Sequence, residues 1–126
     1  MHDPITSKII AAAYKVHNKL GFGFLEKVYE NAMFIELLKQ KLPVIRQAPL
    51  HVIYEQEIVG EFQVDLWVDN QIIVELKSVR QLLESHEVQL VNYLAATQTE
   101  VGLLLNFGPT GVEVKRKHRT YRAKRE

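Results

Sequence analysis

Asp65 in "VDLWV" and the pair Glu75 and Lys77 in "IVELK" have the types and spacing for hydrolytic chemistry. Glu75 and Lys77 stand two apart, so they share one side of any strand that contains them. Two carboxylates a strand spacing apart repel and raise each other's pKa unless a cation lies between them. Oxygen ligands with open water positions suit Mg²⁺ or Mn²⁺, and the Leu76 backbone carbonyl is a further candidate ligand. A lysine beside such a cation adds a point charge that can hold an attacking water or stabilise a phosphorane-like transition state. The alternative is three polar residues on a half-exposed strand, with no chemistry at all.

Whether the two carboxylates meet depends on a turn. Residues directly opposite on antiparallel strands point to the same face. A two-residue Asp69-Asn70 loop pairs Asp65 with Val74 and sends the carboxylates to opposite faces. A three-residue loop, Asp69-Asn70-Gln71, or a bulge pairs Asp65 with Glu75. An active site here therefore demands an odd loop or a bulge.

The elements that must hold these residues are legible. Asp3-Pro4 supplies a cap and a first-turn proline. Behind it, Ile5, Ile9, Ala12/Ala13, Val16 and Leu20 recur at helical spacing until Gly21-Phe22-Gly23 breaks the helix. A second helix is expected from about Leu25 to Gln40, with Leu25, Val28, Ala32, Ile35 and Leu38 as its inner stripe and Pro43 just past its end. Three strands follow: Leu50–Tyr54, Glu61–Val68 and Gln71–Lys77, with Glu55–Gly60 as the first turn. Phe62, Val64, Leu66 and Val68 are expected on one face of the second strand, and Gln63, Asp65 and Trp67 on the other. A third helix spans about Gln81–Thr97. The run "VGLLLNF" reads as a strand covered on both faces, and "VEVKRK" as a last short strand.

Bulk composition narrows the classes. With 126 residues the chain is expected to form one domain over 1–114, followed by a basic tail over 115–126. The tail carries seven Lys/Arg and one Glu, the rest nine Lys/Arg and fourteen Asp/Glu, so a body of −5 bears a tail of +6. Such a tail is an electrostatic handle for phosphate backbones, or a solubilising end. The absence of cysteine excludes disulfides, zinc–thiolate sites and thiol catalysis. No apolar run approaches the roughly 20 residues of a membrane helix, and no leader pattern opens the chain. A cytoplasmic protein is expected, with no membrane partner.

"GFLEKVY", followed by "VDLWV", "IVELK", "VQLVNYL" and "VGLLLNFG", resembles the GxxExxY protein family of the PD-(D/E)XK nuclease superfamily. Gly23, Glu26 and Tyr29 match the naming motif, and the resemblance runs from about Ile5 to Phe107. It implies an α/β, restriction-endonuclease-like core: a central mixed sheet flanked by helices, in the order α-α-β-β-β-α-β-β. It implies metal-dependent cleavage of phosphodiester bonds, with Mg²⁺ or Mn²⁺ as cofactor; a nucleic acid is the expected partner, DNA ahead of RNA, and the sequence leaves that choice open. Asp65 and Glu75 correspond to the metal carboxylates and Lys77 to the catalytic lysine. Glu26 corresponds to a helix-borne acid that contacts the metal or its water. Gln89 and Tyr93 look like the Gln-x-x-x-Tyr element of the RecB-like branch, which lines the site and contacts substrate. His86 lies on the same helical face, and Tyr29 is a further substrate-side candidate. Val64 stands where the superfamily's name has proline. The small size makes a homodimer or a partner protein plausible. The competing expectation is a catalytically silent module of this fold that binds nucleic acid or a protein through its basic tail.

Overall fold

The computed structural model describes residues 4–119. The Asp3 cap and the tail beyond Arg119 lie outside the described residues. Helix α1 (Pro4–Leu20) buries Ile9, Ala12, Ala13 and Val16, and ends where Gly21 adopts φ +73° and returns its N–H to the His17 carbonyl. Only glycine takes that left-handed conformation without cost. Helix α2 spans Glu26–Lys39. Strands β1 (Val44–Tyr54), β2 (Glu57–Val68) and β3 (Ile72–Lys77) form a meander. Helix α3 (Glu84–Thr97) then crosses over to β4 (Val101–Phe107), and β5 (Val112–His118) closes the order. The five strands lie in the order β1-β2-β3-β4-β5, with β3 and β4 parallel and the other neighbours antiparallel. The architecture is the mixed sheet with flanking helices that the family resemblance implies, in the element order read from the sequence pattern. Lys115–His118 belong to β5 and pair with β4, so the first part of the expected basic tail is sheet.

The inner face of α2 differs from expectation. Tyr29, Met33 and Leu37 are fully buried, whereas Leu25, Val28, Ile35 and Leu38 are exposed, Leu25 by 80%. Both stripes are apolar at helical spacing, so periodicity alone does not choose between them. The choice falls to Tyr29, whose ring stacks on Phe107 at 4.4 Å and 11°. Its hydroxyl donates to the Gly21 carbonyl at 2.5 Å, which satisfies the polar end of a buried ring.

The β1–β2 hairpin is longer than expected. Its turn is only Glu55-Gln56, both at positive φ (49° and 67°), and Gly60 lies inside β2. Pro49 is tolerated within β1 because β1 is the sheet edge. The faces also switch along this hairpin. Leu66 and Val68, with Val44, pack under α1 and α2, but Val64, Ala48 and Leu50 pack under α3. Phe62, Val64, Leu66 and Val68 therefore do not share one face. The switch falls at the level of Gln47 and Asp65, where Gln47 sits at φ +51°. One left-handed residue rotates the strand and resets its alternation.

Two cores result. The α1/α2 core includes Ile72, Val74 and Leu76 of β3 with Leu103, Leu105 and Phe107 of β4. The α3 core gathers Ile73 and Leu104 with Leu90, Tyr93 and Leu94. Trp67 packs against this second core, not under α2. Residue 106 joins the loop after β3 to the sheet: fully buried Asn106 accepts the Val79 N–H and donates to the Val79 carbonyl. That pairing fixes the chain just beyond Lys77.

Candidate active site

The β2–β3 register decides the geometry. Val68 pairs with Ile72, Trp67 with Ile73 and Leu66 with Val74, so Asp69-Asn70-Gln71 is the three-residue loop. Asp69 and Asn70 take left-handed φ of 53° and 56°, residue types that tolerate it. The next step of this register sets Asp65 opposite Glu75. There the backbone ladder gives way to side chains. The Asp65 N–H donates to Glu75 Oε2 at 2.8 Å, and the Leu76 N–H donates to Asp65 Oδ2 at 2.8 Å. One backbone amide from each strand is thus satisfied by a carboxylate, and the backbone pairing of β2 with β3 ends at Leu66 and Val74.

This environment is costly for charge. Glu75 is 7% exposed, and burial, with the nearby Asp65 charge second, pushes its carboxyl up to about 8. Burial also raises Asp65, against the Leu76 amide, which favours its charged form. Lys77, on the same side of β3 as Glu75, is half-buried and favours ionisation of both acids. Glu26, at the exposed first turn of α2, acts in the opposite sense on both.

Glu30 and Gln47 are functional candidates that sequence reasoning missed. Glu30 is 3% exposed, and it raises Asp65 more than Glu26 does. Gln47 Nε2 donates to Glu30 Oε1 at 2.6 Å and reaches Asp65 Oδ1 at 3.5 Å. Lys27 pairs with the other Glu30 oxygen at 3.2 Å. A usable signal was present: Glu30 is one turn beyond Glu26, at the i+4 spacing that puts both on one helix face.

The other candidates divide. Tyr93 is nearly buried at 8% exposure, and its hydroxyl is raised first by burial and then by the charges of Glu75 and Asp65. Gln89, one turn earlier on α3, is exposed and lines a groove that also contains Tyr93. His86 begins α3: its Nδ1 accepts the Leu83 N–H at 3.1 Å, and its own N–H goes to the Leu83 carbonyl. That is a helix-capping arrangement. Tyr29 is fully buried, and its hydroxyl, which donates to the Gly21 carbonyl and accepts the Phe24 N–H, pins the Gly21–Leu25 loop.

The donor set fits a hard divalent cation. Glu75 and Asp65 each use one oxygen on a backbone amide, and the second Asp65 oxygen lies 3.5 Å from Gln47 Nε2. Among the described residues no group of three His, Cys, Asp or Glu side chains could hold a metal ion. Asp65 and Glu75 offer oxygen ligands, which suit a hard divalent cation better than a structural zinc site does. Two buried, mutually repelling acids also need a cation to ionise together.

A mixed five-stranded sheet with helices on both faces, in the order α-α-β-β-β-α-β-β, is a restriction-endonuclease-like architecture. The profile of the PD-(D/E)XK nuclease superfamily matches residues 3–117, and the chain belongs to that superfamily. A comparison with curated proteins gives no match. Among solved structures, the crystal structure of SSO0001 is similar, with a TM-score of 0.62 at 16% identity over 76% of this chain. The likeness is one of fold, and the chain spans about half (50%) of that protein's length. No described helix is long and apolar enough to cross a membrane.

Proposed function

We propose that the chain is a metal-dependent phosphodiesterase that cleaves DNA at the Asp65–Glu75 pair. The observation that carries this reading is the reciprocal bonding of the two carboxylates to each other's strands, with Lys77 on the same face. Asp65, Glu75 and the Leu76 carbonyl would hold Mg²⁺ or Mn²⁺. A residue in an extended strand points its N–H and C=O to the same side, so the Leu76 carbonyl shares the direction of the amide that meets Asp65. A bound cation supplies Lewis-acid polarisation of the phosphodiester and a more acidic water. Lys77 orients the attacking water or stabilises charge developing on the phosphoryl oxygens. Glu26 would reach the site through water, and Glu30, held by Gln47, sets the orientation of Asp65. Gln89 and Tyr93 line the substrate side.

Within the superfamily, Gly23, Glu26 and Tyr29 with Gln89 and Tyr93 support a GxxExxY, RecB-like assignment, in a cytoplasmic setting that the absence of cysteine favours. The competing binding-module reading draws on the basic end of the chain. Within its described part, Lys117 pairs with Glu87 and Arg119 with Glu100, which weakens that reading. The experiment is incubation of linear, nicked and branched DNA with Mg²⁺ or Mn²⁺, comparing the native chain with Asp65→Ala and Lys77→Ala. Cleavage is expected to vanish in both variants. Undiminished cleavage in both excludes this site. Salt-sensitive DNA binding with no product at any metal concentration favours the binding module.

A further inference from the structure

The chain that leaves β3 beyond Lys77 is tied down at several points. Asn106, opposite Lys77 in the β3–β4 register, accepts the Val79 N–H at 2.9 Å and donates to the Val79 carbonyl at 2.8 Å. Its amide also donates to Glu113 Oε1 at 2.9 Å, so this fully buried side chain is satisfied at both ends. Ser78 Oγ donates to the Phe24 carbonyl at 2.7 Å, which joins the segment to the loop that leads to Glu26. Arg80 follows at once, exposed, with its guanidinium 5.5 Å from the centroid of the Phe22 ring. We propose that Arg80 grips a phosphodiester of the substrate strand next to the one cleaved at Asp65 and Glu75. The proposal rests on the nuclease reading of that pair and adds a residue that holds the strand in place without touching the reacting atoms.

The charges around the site argue for this role. Glu30 and Glu26 act on Asp65, and Asp65 and Glu26 act on Glu75, so an anionic strand enters an acidic field and needs cations beside it. The neighbouring cations are already engaged. Lys27 pairs with Glu30 at 3.2 Å. Arg46 Nη1 donates to Asn31 Oδ1 at 3.1 Å, and its guanidinium lies 4.0 Å over the Phe34 ring. Lys77 acts on Asp65 and Glu75 themselves. Arg80 has no carboxylate partner among the described residues. A ring holds a guanidinium by its flat face and leaves the fork of N–H donors free, and that fork matches two phosphate oxygens. Reach agrees with charge: three residues cover at most about 11 Å of chain, so Arg80 begins close to Lys77. Because Asn106 fixes the preceding residue, Arg80 works from a fixed base and loses less freedom when it binds.

Binding is read apart from turnover by fluorescence anisotropy in EDTA, with labelled DNA oligonucleotides that carry no terminal phosphate. Arg80→Ala should weaken binding about 10-fold and lower the salt dependence of log Kd by roughly one phosphate contact. Arg80→Lys should keep the salt dependence and recover only part of the affinity, since an ammonium does not grip two oxygens at once. Lys8→Ala removes an exposed charge roughly 18 Å back along α1 from Leu20 and should change neither. With Mg²⁺ or Mn²⁺ present, Arg80→Ala should raise KM about 10-fold and leave kcat within roughly two-fold. Single uncharged methylphosphonate linkages locate the contact. One placed next to the cleaved bond should raise KM of the native chain and have no further effect on Arg80→Ala. Unchanged affinity and salt dependence in Arg80→Ala overturns the proposal, and so does a loss that every methylphosphonate position shares equally. A lower melting temperature with native affinity overturns it too, because Arg80 is then only a brace for the Phe22 loop. The two readings fail separately. Cleavage that needs Asp65 and ignores Arg80 removes the phosphate grip and leaves the nuclease. Binding that needs Arg80, with no product under any metal, removes the nuclease and leaves the grip.

Discussion

The two faces of β3 are built from adjacent residues and do opposite work. Ile72, Val74 and Leu76 enter the α1/α2 core, and the pairing of β3 with β4 runs unbroken from Ile72 to Lys77. Ile73 does the same on the α3 side, but Glu75 and Lys77 follow it, and there the ladder to β2 stops. One face stabilises the fold, and the other places two acids where burial opposes their ionisation. Packing of the apolar face fixes β3, and with it the position of Glu75 and Lys77, whose charges the core would otherwise repel.

The sharpest way to break the comparison is to remove the acids. Asp65→Ala or Glu75→Ala should lower metal-dependent DNA cleavage by at least roughly 10³-fold while circular dichroism stays native. On the other face, Leu105→Ala, at a fully buried position, should cost about 3 kcal/mol in urea unfolding and leave metal affinity unchanged in the surviving folded protein.

A third contrast concerns pH. Folding raises the Glu75 carboxyl from 4.5 to about 8, so between those values the folded chain binds more protons than the unfolded one. Stability is then greatest at the acid end of that window and falls as pH rises through it. Glu75→Gln should remove most of this slope and raise stability at pH 8 by about 2 kcal/mol, measured by urea titration at both ends of the window. Mg²⁺ should stabilise the native chain increasingly as pH rises, and an unchanged melting temperature with Mg²⁺ at pH 8 would count against a metal at this pair.

Smaller effects test the supporting residues. Gln47→Ala removes the amide between Glu30 and Asp65 and is expected to weaken Mn²⁺ binding about 10-fold by calorimetry. Ile35→Ser, on the outward stripe of α2, should change stability by less than about 0.5 kcal/mol. A loss of several kcal/mol there would restore the inner stripe expected from periodicity.

Much of the molecule was legible because local rules agree with the global fold. Every helix and strand could be found from its apolar repeat and its breakers, and "VGLLLNF" announced a strand covered on both sides. The parity of the Asp69-Asn70-Gln71 loop could be posed as a question, since register has only two outcomes for a pair of faces. The inward face of α2 could not be chosen, because its two stripes are equally apolar and only the fit of Tyr29 against Phe107 separates them. Glu30 and Gln47 escaped for a related reason. Their meeting depends on a left-handed residue in the middle of β1, which no pattern around Gln47 signals.

Residue types and spacing alone determined the elements, their order and the acidic and basic groups available for chemistry. Tertiary structure decided which of those groups are buried together. Alternation along a strand is a local property, whereas the register of a hairpin, the switch of faces at Gln47 and Asp65 and the burial that lifts Glu75 arise only when distant segments pack.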